Sequence, residues 1–227
     1  MRSSWKIHWW WTMVLLALFA FSAFVYISLP SRTPAPNQPL QFPPPPAVDT
    51  SDIVAVLPRD SIPAILEPRF ISVEKANREV AADERTIGVV INGDARAYPI
   101  PILSAHEIVN DVIGGEPVAV TWCPLCYTAL VFSRRIEGID EPLTLGVSGK
   151  LLHNTLVMYD KSSGSLWSQL YAAAVDGPLA GKSLAYFPST HTEWQVWRTE
   201  YPNSKVLSKY QVCESNSCRD YSIDPYK

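Results

Sequence analysis

Two cysteines stand two residues apart in the stretch TWCPLCYTAL (121–130), and Cys123 and Cys126 are the residues here best placed by type and spacing to do chemistry. The two-residue spacer lets their sulfurs bond to each other, and thiol–disulfide exchange then needs one of them to be a reactive thiolate. The same pair offers two soft ligands to Zn²⁺ or Cu(I). The third reading is a resting disulfide, although closing so short a loop removes little unfolded-chain entropy and makes a poor staple. A c-type haem attachment is excluded, because Tyr127 stands where the histidine after the second cysteine belongs.

A metal would need further ligands. His106 is the leading one, with His153, His191 and Met158 weaker, and such a set suits copper or zinc. The spacing matches no zinc finger, and HEIVND is not HExxH, since Asn110 occupies the place of the second histidine. Glu107 has a structural explanation as a helix cap, three residues after Ser104. Near the C-terminus Cys213 and Cys218 flank ESNS and read as a local structural disulfide worth about 2 kcal/mol. Asn154, Tyr159, Asp160, Trp167 and Gln169, within HNTLVMYDKSSGSLWSQ, are the right types to line a site. Their periodicity alone reads as a hairpin, a turn and a buried tryptophan.

The elements that must position these residues are mostly strands. Short runs rich in β-branched and aromatic residues cover Ile87–Ile91, Ala95–Pro99, Val118–Trp122, Tyr127–Phe132, Leu143–Val147, Thr155–Tyr159 and Ser165–Leu170. Asn92-Gly93 predicts a tight hairpin and Asp160–Gly164 a longer one. Helices are expected at Val73–Ala82, Ser104–Ile113 and Glu193–Tyr201. The class is therefore α+β, predominantly antiparallel β (a sheet or open barrel) with two or three short helices. YTALVF after the cysteines reads as a strand, unlike the helix that a thioredoxin-type motif opens. A helix over Ser104–Ile113, turning at Gly114–Pro117 into the strand that ends at Cys123, would return Cys123 to His106 and to the positive end of the helix dipole. Both would favour a thiolate.

Residues 9–29 carry no charge and are long enough to span a bilayer as one helix. Trp9, Trp10 and Trp11 suit the interface, and Arg2 and Lys6 place residues 1–8 in the cytoplasm. The run exceeds a signal-peptide core and no A-x-A site follows, so it reads as an uncleaved signal anchor in a single-pass membrane protein. Residues 30–49 form a linker in which eight of the seventeen positions 30–46 are proline, an extended spacer. The domain at 50–227 is then periplasmic or extracellular. It holds 16 Lys and Arg against 21 Asp and Glu, net −5, a sign that argues against nucleic acid.

The runs INGDARAYPIPILSAHEIVNDVIGGEPVAVTWCPLCYTALVF, LTLGVSGKLLHNTLVMYDKSSGSLWSQ and RDYSIDPY resemble the bacterial and archaeal domain of unknown function 3179. The likeness extends from about Ile53 to Tyr226 and implies one compact domain around the Cys-Pro-Leu-Cys segment. Some similar sequences are described as selenoproteins with selenocysteine at a matching cysteine, which implies redox chemistry for Cys123 and Cys126. The resemblance also covers His106, Glu107, Asn110 and Asp111, and Asn154, Tyr159, Asp160, Trp167 and Gln169. His153 and the Cys213/Cys218 pair depart from the pattern. Similar sequences often continue past Tyr226, so a shortened C-terminus is expected.

The leading expectation is a membrane-anchored thiol oxidoreductase exchanging with a thiol or redox partner protein and needing no cofactor. By analogy Cys123 attacks, Cys126 resolves, and His106 depresses the Cys123 pKa or moves a proton. The alternatives are a copper- or zinc-binding protein using Cys123, Cys126 and His106 without turnover, and a structural module with a passive disulfide.

Overall fold

Asn92 and Gly93 take left-handed φ values of 50° and 80°, as a two-residue type I′ turn requires, and they close the first hairpin. The structure, a computed structural model, describes residues 38–43, 48–211, 213–214, 217–218, 220–223 and 225–226. The expected anchor at 9–29 and most of the proline-rich linker lie outside those residues. Among the described residues no helix is long and apolar enough to cross a membrane. Residues 37–227 form one compact unit.

The hairpin strands β4 (Arg85–Ile91) and β5 (Asp94–Pro99) centre the first of three five-stranded sheets, in the order β14 (Ser189–Glu193), β4, β5, β15 (Lys205–Leu207), β3 (Phe70–Ser72). Within this sheet the β15–β5 pairing is parallel and the others are antiparallel. The second sheet runs β1 (Leu40–Gln41), β13 (Ala185–Phe187), β8 (Thr128–Ser133), β7 (Glu116–Cys123), β6 (Ile108–Ile113). The third runs β12 (Ala173–Asp176), β11 (Leu166–Ser168), β10 (Thr155–Asp160), β9 (Leu145–Leu152), β2 (Ile53–Ala55). A short hairpin of β16 (Cys213–Glu214) and β17 (Ser217–Cys218) sets Cys213 opposite Cys218 in its ladder. Three short helices complete the described chain: α1 (Val73–Ala76), α2 (Ile100–His106) and α3 (Trp194–Glu200). The class is α+β with predominantly antiparallel sheets, and each of the seven expected strands overlaps an observed one.

The second sheet is the middle layer. Successive side chains of a strand alternate between faces, and on β7 the set Val118, Val120 and Trp122 packs with Ile87, Val89 and Tyr98 of the first sheet. The set Ala119 and Cys123 packs instead with Val147, Leu156, Met158 and Trp167 of the third. Burial on both faces explains why VAVTWC reads as a continuous apolar run rather than an alternating one.

Residues 104–113 differ from the sequence expectation. The helix starts at Ile100, with Pro101 in its first turn, and ends at His106. Ile108–Ile113 is a strand, paired antiparallel with β7 from Ile108↔Thr121 to Ile113↔Glu116. Gly114-Gly115, read as a helix stop, is the turn of this hairpin, at φ 55° and 86°. The spacing of Ile102, His106, Val109 and Ile113 fits a helix face, but the β-branched residues of IVNDVI are better served by a half-buried ladder. Ser104 is consequently no N-cap; it sits inside the helix, and its Oγ accepts a hydrogen bond from the Trp122 indole at 3.1 Å. The helix expected over Val73–Ala82 is also shorter, ending at Ala76; the Asn77 side chain then accepts hydrogen bonds from Trp194 and Arg198.

Strand β6 joins all three layers. Asn110 exchanges two hydrogen bonds with the main chain of Leu145, at 2.8 and 2.9 Å, and so ties β6 to β9. Asp111, on the opposite face, accepts both bonds of a bidentate pair from Arg96 Nη1, at 2.6 and 2.8 Å, and a third from Tyr98. Arg96 and Asp111 are buried, and although Arg96 Nη2 also donates to Asp94 at 2.9 Å, removing Asp111 leaves Nη1 and the Tyr98 hydroxyl without their acceptor. Asp111→Ala is expected to lower unfolding stability by about 3–5 kcal/mol in urea titrations; a loss under about 1 kcal/mol would contradict this account of the cluster.

Candidate functional site

The turn Pro124–Tyr127 joins β7 to β8; it carries Cys126 and directly follows Cys123. Cys123, the last residue of β7, is 1% exposed. Cys126 is exposed, flanked by exposed Leu125 and Tyr127. Both are free thiols. They lie within hydrogen-bonding reach of each other, and the Cys126 thiol also reaches the Cys123 carbonyl at 3.9 Å. Tyr127 takes a left-handed φ of 54°, which turns the chain back into β8, and its ring meets Trp122 edge-on at 4.8 Å.

Behind the turn lies a cavity of about 80 Å³ lined by Cys123, Glu107, Tyr226, Lys150 and apolar side chains that include Leu57 and Leu156. One wall exists because residue 149 is glycine: at φ 72° its backbone lies so close to Leu57 that a Cβ would fall 2.1 Å from the Leu57 carbonyl oxygen. Burial pushes the Cys123 thiol up to about 11; its hydrogen bond with Cys126 adds to this, while backbone N–H groups of Cys126 and Leu156 oppose it. Burial likewise raises the Glu107 carboxyl above its ordinary range, against a hydrogen bond donated by the Tyr226 hydroxyl at 2.5 Å.

Glu107 closes α2. It takes a φ of 58°, its N–H bonds the Leu103 carbonyl, and its own carbonyl accepts from Trp122 N at 2.7 Å. The C-terminal, negative end of the helix thus meets the strand that carries Cys123, the reverse of the dipole argument made from sequence. His106 is buried just before it. Its Nδ1 lies 2.7 Å from the Pro63 carbonyl, which can only accept, so the proton sits on Nδ1. Nε2 lies 2.8 Å from the Tyr221 hydroxyl, within hydrogen-bonding distance. The two tyrosines of RDYSIDPY therefore meet the first two residues of HEIVND, one each.

A family model described as "Protein of unknown function (DUF3179)" matches residues 59–227. The chain belongs to this family. No curated protein and no solved structure matches it.

Within the DUF3179 domain the other residues named from sequence are dispersed. Two of the hairpin set stand close to the cysteine strand: Trp167 packs in the same buried cluster as Cys123, and the Gln169 amide donates to Thr121 Oγ1 at 2.9 Å and to the carbonyl of Thr128, the ladder partner of Cys123. Trp167 donates to Asp160 at 3.0 Å, and Asp160 also holds Ser162 and Ser163, which depresses its carboxyl. Tyr159 donates to Asp60 and lies under the Arg59 guanidinium. Asn154 and His153 form the left-handed turn between β9 and β10, with His153 3.9 Å from Asp52. Met158 is buried in the core, and His191 faces Trp122 at 6.0 Å, its pKa lowered by burial and then by Arg85. Among the described residues no three His, Cys, Asp or Glu side chains gather closely enough to hold a metal ion. The side chains of Cys213 and Cys218 lie outside the described residues.

Sequence reasoning did not single out Tyr226 or Lys150. The signal for Tyr226 was its place in RDYSIDPY; nothing in the spacing pointed to Lys150.

The two thiols are expected to differ in reactivity. At pH 8 a thiol titrating near 11 is thiolate to about one part in a thousand. With iodoacetamide, peptide mapping should show Cys126 alkylated at least about tenfold faster than Cys123. Cys123 labelling should climb about tenfold per pH unit from 8 to 10; equal labelling of both at pH 8 would refute the assignment.

Proposed function

We propose that this chain is a membrane-anchored, extracytoplasmic thiol–disulfide redox protein in which exposed Cys126 exchanges with a partner and buried Cys123 closes the intramolecular bond. The observation that carries the reading is the pairing of one solvent-facing thiol with one buried thiol across a single turn. Exchange needs an accessible attacking sulfur and a second sulfur held within bonding reach but shielded from other partners. Burial gives these roles in the opposite order to the one that position in the motif suggests.

In the reaction the Cys126 thiolate attacks one sulfur of a partner disulfide, and the partner's other sulfur leaves as thiolate. Cys123 then loses its proton and attacks Cys126 Sγ, forming the internal disulfide and expelling the second partner thiolate. Two electrons pass from the dithiol to the partner disulfide, and the reverse sequence oxidises a partner dithiol. The uncharged run 9–29 anchors the domain in the bilayer, and the proline-rich linker holds it outside the cytoplasm.

Redox titration of the full chain in detergent micelles, followed by mass spectrometry, tests the chemistry. A reversible Cys123–Cys126 couple between about −100 and −250 mV is expected, whereas reduction only below about −300 mV would mark a structural bond. Stoichiometric copper or zinc that disappears in Cys123→Ser would overturn the reading in favour of metal binding. The anchor is tested separately: the full chain should stay with membranes through an alkaline carbonate wash, and its release would refute the anchor.

A further inference from the structure

We propose that Glu107, held by the Tyr226 hydroxyl, is the proton acceptor for Cys123 when that thiol closes the disulfide. The inference rests on the thiol-exchange reading and adds to it the group that makes its second step feasible.

Cys123 is buried, and its thiol titrates near about 11, so at neutral pH about one molecule in ten thousand would carry a thiolate unaided. The step therefore needs a base inside the cavity. The groups that face this space are few: Cys123 from β7, Lys150 from β9, Glu107 at the end of α2, and Tyr226 from the C-terminal segment. An ammonium has no acceptor, and the Tyr226 hydroxyl already donates to Glu107. His106 is engaged elsewhere, at Pro63 and Tyr221, and does not line the cavity. The Glu107 carboxylate is the remaining acceptor. The cavity of about 80 Å³ also has room for water, over which a proton can cross.

The proton of Cys123 passes to the Glu107 carboxylate, and the sulfur lone pair forms the bond to Cys126 Sγ. The bond from Cys126 to the partner sulfur breaks, and its electron pair leaves with the partner as thiolate. Neutral Glu107 afterwards returns its proton to solvent past the exposed Tyr226.

The test uses the full, reduced chain in detergent with an excess of a chromogenic aromatic disulfide, followed by stopped flow from pH 5 to 9. The first equivalent of aromatic thiol reports attack by Cys126, and the second, absent in Cys123→Ser, reports closure. Closure in the wild type should rise with pH through one inflection, that of Glu107. In Glu107→Gln closure at pH 7 should slow at least about tenfold and lose the inflection, while the first release changes less than about twofold. In Tyr226→Phe the carboxylate loses a stabilising donor, so the inflection should move to higher pH. Closure in Glu107→Gln that matches the wild type in rate and pH profile overturns the role of Glu107 alone. If Glu107→Gln does not fold, Tyr226→Phe decides the matter, and an unmoved inflection overturns the proposal. A wild-type chain that releases no first equivalent overturns the thiol-exchange reading itself, and the role of Glu107 with it.

Discussion

Adjacent residues on a strand send their side chains to opposite faces, and the rest of this structure depends on how β6 meets that constraint. Asn110 and Asp111 are both polar and both buried, so each must find full hydrogen-bonding partners in a different layer. Asn110 finds the main chain of Leu145 in the third sheet; Asp111 finds Arg96 and Tyr98 in the first. A one-residue slip of β6 against β7 would send each to the wrong side, leaving a buried amide and a carboxylate unsatisfied and Arg96 with Asp94 as its remaining ion-pair partner. The register fixed in this way carries through the β6–β7 ladder to Cys123.

The properties of the cysteine pair follow from that register. Cys123 falls on the face of β7 that packs on Val147, Leu156 and Trp167, and this burial is the first cause of its raised pKa. Cys126 lies beyond the end of the strand, where no sheet covers it. The same hairpin brings the helix end at Glu107 against Trp122, one residue from the thiol. A carboxyl and a thiol, both with burial opposing their ionisation, thus line one small cavity.

Much of this was legible in the sequence, and the reasons for the rest are physical. The Asn92-Gly93 turn, the strands either side of the cysteines and the helix near Trp194 all carry strong local signals. The segment 104–113 does not, because Ile102, His106, Val109 and Ile113 satisfy a helical period while the β-branched pairs satisfy a ladder. Only the partner strand decides between them, and it lies ten or so residues further on. Ser104 and Glu107 have the spacing of a capping box, yet one faces Trp122 and the other terminates the helix. The hydrogen bond between Glu107 and Tyr226 spans 119 residues, beyond the reach of any local pattern. The family resemblance supplied both ends of that contact as motifs without saying that they touch.

The cysteine turn is a hairpin loop whose two strands are each hydrogen-bonded on their outer edges as well as to each other, β7 to β6 and β8 to β13. A covalent bond made or broken between residues 123 and 126 therefore crosses no other element and asks no strand to change its neighbours. The scaffold is indifferent to the event at its tip. On the proposed thiol exchange, whatever would distinguish the two forms to a partner would be read at the four residues of the loop, because the layers beneath are free to stay the same in both.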